Sequence, residues 1–158
     1  MRIMAEQLVD FFRARKVRAP SPDIDWTVKR DSWIEAVESL YELVKEMLRD
    51  SINSNDVTVR TLNREVTEDF LGTYSIPALE LSAGNERVEF RPKGVTVIGA
   101  AGRVDVLGER GAVTLLWDKE STASGWTVVL QRIPTLASAP LDQKTLQFAL
   151  ERVMSPLP

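Results

Sequence analysis

GVTVIGAAGRVDVLGERGAV, residues 94–113, places five glycines between short runs of alternating apolar residues. It reads either as a loop that grips a phosphate or as tight turns between strands. A Walker loop needs two glycines five apart, then Lys and Ser/Thr ahead of a helix. Gly94 and Gly99 have that spacing, but Ala100 and Ala101 stand where Lys and Ser/Thr are required. A dinucleotide fingerprint, GxGxxG leading into a helix, is not matched by Gly99, Gly102, Gly108 and Gly111. Gly108-Glu109-Arg110-Gly111 has the GxxG form that clamps an RNA backbone in KH domains. That loop lies between helices, whereas this one lies between RVDVL and AVTLLW. Hairpin turns need only residues that reach positive φ, which glycine does without steric cost. The glycines are therefore expected to shape a fold and not to hold a ligand.

The same alternation extends outward in both directions. Candidate strands are VTVRTLN (57–63), ALEL (78–81), RVEF (87–90), VTVI (95–98), RVDVL (103–107), AVTLLW (112–117) and WTVVLQR (126–132). SAGNE, RPKG, GAAG, LGERG and DKESTASG separate the later ones. Links this short join antiparallel neighbours, because parallel strands need a crossover. The reading is a meander of about seven strands. A sheet of that size tends to curl or close.

Helical spacing brackets the sheet. In residues 2–17, Met4, Leu8 and Phe11 recur at i, i+4, i+7, with Ala5, Val9 and Phe12 beside them. Arg13, Arg15, Lys16 and Arg18 collect at its C-terminal end, where cations favour the helix dipole. APSPDID (19–25) breaks the pattern. A second helix is predicted to begin at Ser32, whose side chain would cap it with Glu35 reaching back. Trp33, Val37, Leu40, Val44, Met47 and Leu48 form its stripe, widened by Ile34 and Tyr41, and turn formers end it at 51–56. So broad a stripe must bury against the sheet, the first helix or a second copy of the chain. A last helix lies in LDQKTLQFALERVM, with Asp142 as N-cap, Leu141 and Leu146 as a hydrophobic staple, and Leu146, Ala149, Leu150 and Val153 as its buried face.

The expected class is thus α+β: a helical segment over 1–52 packed on the same domain as a sheet and C-terminal helix over 57–158. This element order resembles the layout of pleckstrin-homology-like barrels. The resemblance rests on order alone, since no residue motif carries it and the last helix has no Trp. It implies a curled sheet plugged at one end by the helix.

Composition narrows the chemistry. The 158 residues contain no Cys and no His. The chain alone can build no Ser-His-Asp or Cys-His device, no thiolate or imidazole zinc site and no disulfide. The commonest general base near neutral pH is missing as well. A net charge of −3 argues against bulk-charge binding of nucleic acid. No apolar run reaches the roughly 20 residues of a spanning helix. The N-terminus has no continuous apolar core of a secretory signal and carries Glu6 and Asp10, so the expected location is cytoplasmic.

Several constellations remain. Glu35, Glu38, Glu42 and Glu46 share one face of the second predicted helix, offset by Lys45 and Arg49. Residues 31–56 hold seven acids and two bases, a balance of −5, while residues 1–18 hold five bases and two acids, a balance of +3. The row is either a solvated face or a docking surface for a basic partner. Trp117 and Trp126 flank DKESTASG and would meet as a cross-strand pair. Trp26 and Trp33 bracket the start of the second helix. These four tryptophans are core residues or a binding patch. Arg87, Arg91 and Lys93 share their strand with Glu89, and Arg103 with Asp105, as in surface ion pairs. Asp23 and Asp25 form no full calcium motif. The basic first helix with Phe11 and Phe12 has only a short stripe for lying on a membrane.

The leading expectation is a non-catalytic cytoplasmic protein-binding module, an adaptor or an inhibitor or immunity-type partner. Its candidate contact residues are Glu35, Glu38, Glu42, Glu46, Trp26, Trp33, Trp117 and Trp126. Its partner would be another protein of basic character, or a second copy of the chain, with neither nucleic acid nor membrane. No catalytic residue, metal site or cofactor is expected. One alternative is a small-molecule or lipid-headgroup binder using the open end of the sheet. The other is a carboxylate-metal-dependent hydrolase, which needs three or more Asp/Glu in one cleft.

Overall fold

The computed structural model describes residues 7–12, 25–95, 102–118 and 124–156. Residues 7–12 are helical (α1). α2 (Trp26–Met47) and α3 (Arg49–Asn53) follow, then the strands β1 (Thr58–Glu68), β2 (Gly72–Ala83), β3 (Glu86–Gly94), β4 (Gly102–Gly108), β5 (Gly111–Trp117), β6 (Trp126–Gln131) and β7 (Ala137–Pro140). α4 (Gln143–Val153) ends the chain's regular structure. The fold is α+β. Its seven strands form one sheet in sequence order, every neighbouring pair antiparallel. The sheet is not closed: β1 and β7 are its edges.

The turn reading of the glycines holds at the β2–β3 and β4–β5 turns and fails at Gly94, which lies within β3. Gly84 has φ +59° in the β2–β3 turn, and Gly111 has φ +142° after the two-residue β4–β5 turn. Gly99, Ala100 and Ala101 lie outside the described residues, and Gly102 opens β4.

Several boundaries differ from expectation. RPKG is no turn. It is the end of β3, with an irregularity between Pro92 and Gly94. Of the strand expected over 95–98, Val95 is a bend and the rest falls outside the described residues. β1 and β2 run through the polar stretch 64–77, where alternation is weak, because each supplies the other's hydrogen bonds in unbroken register from Thr58↔Ser82 to Glu68↔Gly72. The seventh strand is Ala137–Pro140, which has no β-branched residue and owes its place to pairing with β6.

α2 begins earlier than Ser32. Asp25 is its N-cap, accepting hydrogen bonds from the backbone N–H of Thr27 at 3.0 Å and Val28 at 3.2 Å. Ser32 lies inside the helix, since an aspartate with two orphan amides to satisfy outcompetes a cap about two turns later. Asp142 caps α4 as expected, in a reciprocal box with Thr145. Hydrogen bonds from the Thr145 and Lys144 amides outweigh the slight desolvation and hold its carboxyl below the usual range.

Trp33, Val37, Leu40, Tyr41 and Val44 of α2 and Leu146, Ala149 and Val153 of α4 enter one core with the sheet. The broad stripe of α2 therefore packs on its own sheet, and that face is not available to a second copy. Trp33, Phe90, Val104, Val106 and Leu115 are fully buried, each worth about 1.5–3 kcal/mol of transfer free energy. Buried positions of β2 change parity between Ala78 and Leu79, so that both faces of this strand are covered in succession.

Candidate functional site

The outer flank of α2 faces the first two strands across a groove. Glu35, Glu38, Ser39, Glu42 and Lys45 form its helical wall, with Thr61 of β1 and Pro77 of β2 opposite. The groove encloses about 580 Å³. Helical spacing creates the acidic wall: positions 35, 38 and 42 follow i, i+3, i+7, one stripe beside the buried one. All of Glu35, Glu38, Glu42 and Glu46 are exposed.

Two of the four carboxylates are answered locally. Lys45 Nζ lies 3.3 Å from Glu42, and Arg49 Nη1 lies 2.8 Å from Glu46. Among the described residues, Glu35 and Glu38 make no ion pair. Among the described residues, then, the N-terminal half of the groove carries two carboxylates with no paired cation. Glu46 is left beyond it, one turn farther along α2.

Tyr41 anchors the floor. Its hydroxyl donates to Pro77 O at 2.8 Å, with Phe90 O a second acceptor at 3.2 Å. This ties α2 to β2 and β3 and fixes the groove's width. Burial, with the nearby Glu89 charge, pushes the phenol well above its usual range, so it stays a neutral donor. The stripe identifies Tyr41 as buried; nothing in the sequence marks Thr61 or Pro77 as its neighbours.

The tryptophans divide. Trp33 and Trp126 are core residues, 0% and 2% exposed, and cannot meet a partner from there. Trp117 stands opposite Trp126 in register, as the flanking positions imply, and is half-buried. Trp26 is half-buried and stacked on Phe70 at 5.3 Å, with Lys29 Nζ 5.2 Å from its ring. Phe70 is 60% exposed and holds φ +69°, rare for a bulky residue. Sequence reasoning missed it, since no local signal requires a left-handed phenylalanine in the β1–β2 turn.

Of the basic strand residues, Arg91 and Arg103 form the expected ion pairs, while among the described residues Arg87 and Lys93 form none. Glu89 receives Arg91 Nε at 2.5 Å and both Nε and Nη2 of Arg64. Burial would raise its carboxyl, but those hydrogen bonds and charges outweigh it and the net shift is downward. Arg103 pairs with Asp105 at 2.8 Å. Near the β1–β2 turn, Glu68 accepts from the Tyr74 hydroxyl and, at 2.7 Å, from the amide of Val95. Trp33 Nε1–H is buried and, among the described residues, makes no hydrogen bond of ordinary geometry, the Tyr74 hydroxyl being the group set nearest to interact with it.

Among the described residues no three acidic side chains converge to hold a metal ion. Asp25 is spent on the α2 cap, and Asp23 lies outside the described residues. No helix among them is long and apolar enough to cross a membrane. Of the first predicted helix only 7–12 is described, with Leu8, Val9, Phe11 and Phe12 all exposed. Comparison of the chain with protein-family models, with curated proteins and with solved structures finds no match.

Proposed function

We propose that the protein is a non-catalytic binding module of the cytoplasm that takes a basic segment of a partner protein along the α2 groove. The observation that carries this is the pair Glu35 and Glu38, exposed on a groove wall and without an ion pair among the described residues. An extended Lys/Arg-bearing segment would satisfy them while its backbone lies between α2 and β1. Such contacts steer encounter and set specificity more than they supply raw affinity. Lys45 disfavours a segment that continues as bases toward the C-terminal end of α2, so the preferred partner places its cations against Glu35 and Glu38. An adaptor or an inhibitor-type partner fits this chemistry, since neither needs a reacting group.

The test is binding of a fluorescent Lys/Arg-rich peptide at low and high salt. The expected result is saturable binding that weakens with salt and is lost in Glu35→Gln/Glu38→Gln. A control with the same charge change elsewhere, Glu65→Gln/Glu109→Gln, should bind as the parent does. Equal loss in both variants would reduce the effect to net charge and sink the reading.

A further inference from the structure

β5 and β6 are joined at one end only. Leu115, Leu116 and Trp117 are in register with Val128, Thr127 and Trp126, and no β6 residue is registered against Ala112, Val113 or Thr114. β6 follows β7 instead, through an irregularity between Val129 and Gln131. The two strands part, and the split opens a cleft of about 350 Å³. Thr114, Gln131, Arg132 and Ile133 line it together with Phe148 and Arg152 of α4.

The β4–β5 register sets what backbone the split presents. Gly108 and Gly111 close a two-residue hairpin, so they form a hydrogen-bonded pair, and such pairs alternate along the ladder. Val113 then bonds Val106 of β4, while the peptide groups of Ala112 and Thr114 point the other way, into the split.

Two cations flank these groups. Arg132 Nη2 donates to Thr114 Oγ1 at 2.6 Å, and that hydroxyl donates on to Asp105 Oδ1 at 3.3 Å. Asp105 is itself held by both Nε and Nη2 of Arg103, at 2.8 and 3.2 Å. Its charge is thereby answered by Arg103, and it reaches Arg132 only through a neutral hydroxyl. The Arg152 guanidinium lies over Phe148, 5.5 Å from the ring centroid. Among the described residues neither Arg132 nor Arg152 makes an ion pair. In a chain of net charge −3 this is a local reversal of sign.

We propose that the split between β5 and β6 binds the anionic head, carboxylate or phosphate, of a small molecule with an apolar body. Guanidinium forks match either anion, and outward-facing amides add donors of fixed direction. Ile133 and Phe148 receive the body, and the volume lies in the range of small-ligand sites. This site is separate from the α2 groove and stands or falls without it.

The experiment is an NMR titration of the whole chain with phenyl phosphate and with benzoate, using inorganic phosphate to isolate the head. Saturable shifts at the amides of Ala112 and Thr114 are expected, with affinity reduced about tenfold in Arg132→Gln and in Arg152→Gln, the loss of one charged hydrogen bond. Arg152 is exposed and not part of the Thr114–Asp105 chain, so its variant tests the site without disturbing the core. Arg87→Gln, on β3, should bind as the parent does. Preference between the two ligands distinguishes phosphate from carboxylate. Co-sedimentation with phosphatidylcholine vesicles doped with phosphatidic acid tells a lipid phosphate from a free one. No saturable shift with either aromatic anion, or equal shifts in the arginine variants, overturns the proposal.

Discussion

Trp33 of α2 lies 6.1 Å, centroid to centroid, from Trp126 of β6, and 5.8 Å from Trp117, the residue opposite Trp126 on β5. The helix is thus held against β4, β5 and β6 by a fully buried indole. Gly102, opposite Trp117 in register, makes space for it: a Cβ there would run into Cζ3, Cε3 and Cη2 of Trp33. Gly102→Ala is therefore expected to cost about 1–3 kcal/mol by overpacking. In a Trp33→Phe background the same change should cost at least about 0.5 kcal/mol less, because the two residues share one space. Urea unfolding of the four proteins measures this. Additive costs would show that the clash is not with Trp33.

The sheet was readable where alternation and glycine punctuation coincide, at RVEF, RVDVL, AVTLLW and WTVVLQR, because every strand's partner is its sequence neighbour. It was misread where that local rule fails. Ala137–Pro140 becomes a strand only because β6 turns toward it, and Lys93–Gly94 carry a turn signature inside β3. The start of α2 was misplaced because Ser32 with Glu35 has the form of a capping box, whereas the cap is Asp25, whose carboxylate takes the amides of Thr27 and Val28. The acidic wall was legible from helical spacing. The opposite wall was not, since Thr61 and Pro77 owe their position to long-range pairing. The split holding Arg132 and Arg152 left no sequence trace, because nothing local says where a strand pair stops.

Tyr41 and Tyr74 are the chain's two tyrosines, and burial raises both above the ordinary value of 10.0. For Tyr74 the bond to Glu68 raises it further, and Trp33 and Arg30 oppose this in part. A raised phenol binds its proton more tightly when folded, so the associated stability is complete below pH 10.0 and is lost as pH climbs toward the folded values. Tyrosinate absorbance should thus rise together with loss of structure and not before it. Tyr41→Phe should unfold less steeply in alkali. At neutral pH it should be about 1–2 kcal/mol less stable, because the Pro77 and Phe90 carbonyls lose a donor. Tyrosinate forming in a still-folded protein near pH 10 would refute the burial argument.

Glu89 runs the opposite way. Its carboxyl is held below the ordinary value of 4.5 by Arg91 and Arg64 against the cost of burial. Its contribution is present above pH 4.5 and disappears as acid takes pH through the lower folded value. Glu89→Gln should lose about 1–2 kcal/mol near neutrality by removing charge-assisted hydrogen bonds. It should also show a shallower acid limb in stability against pH. Parallel acid limbs for variant and parent would contradict this.

Phe70 tests whether the β1–β2 turn is strained. At φ +69° a side chain costs roughly 1 kcal/mol that glycine does not incur. The ring is held instead by its stack on Trp26. Phe70→Ala loses the stack and keeps the strain, while Phe70→Gly loses both. Glycine should be the more stable replacement by about 0.5–1 kcal/mol in thermal unfolding. An alanine variant equal to glycine would mean that the turn relaxes freely.

The acidic wall of α2 should cost stability where it serves binding. Glu38 and Glu42 are four residues apart on one face, a like-charge spacing that destabilises a helix by about 0.2–0.5 kcal/mol. Glu38→Gln relieves that repulsion without touching the buried stripe, and it leaves the Glu42–Lys45 pair in place. It should stabilise the protein by a few tenths of a kcal/mol at low salt, a gain that fades as salt screens the parent's repulsion. The same change should weaken binding of a basic peptide. Opposite signs in the two measurements are what a docking surface requires, because a merely solvated face would gain stability and lose nothing.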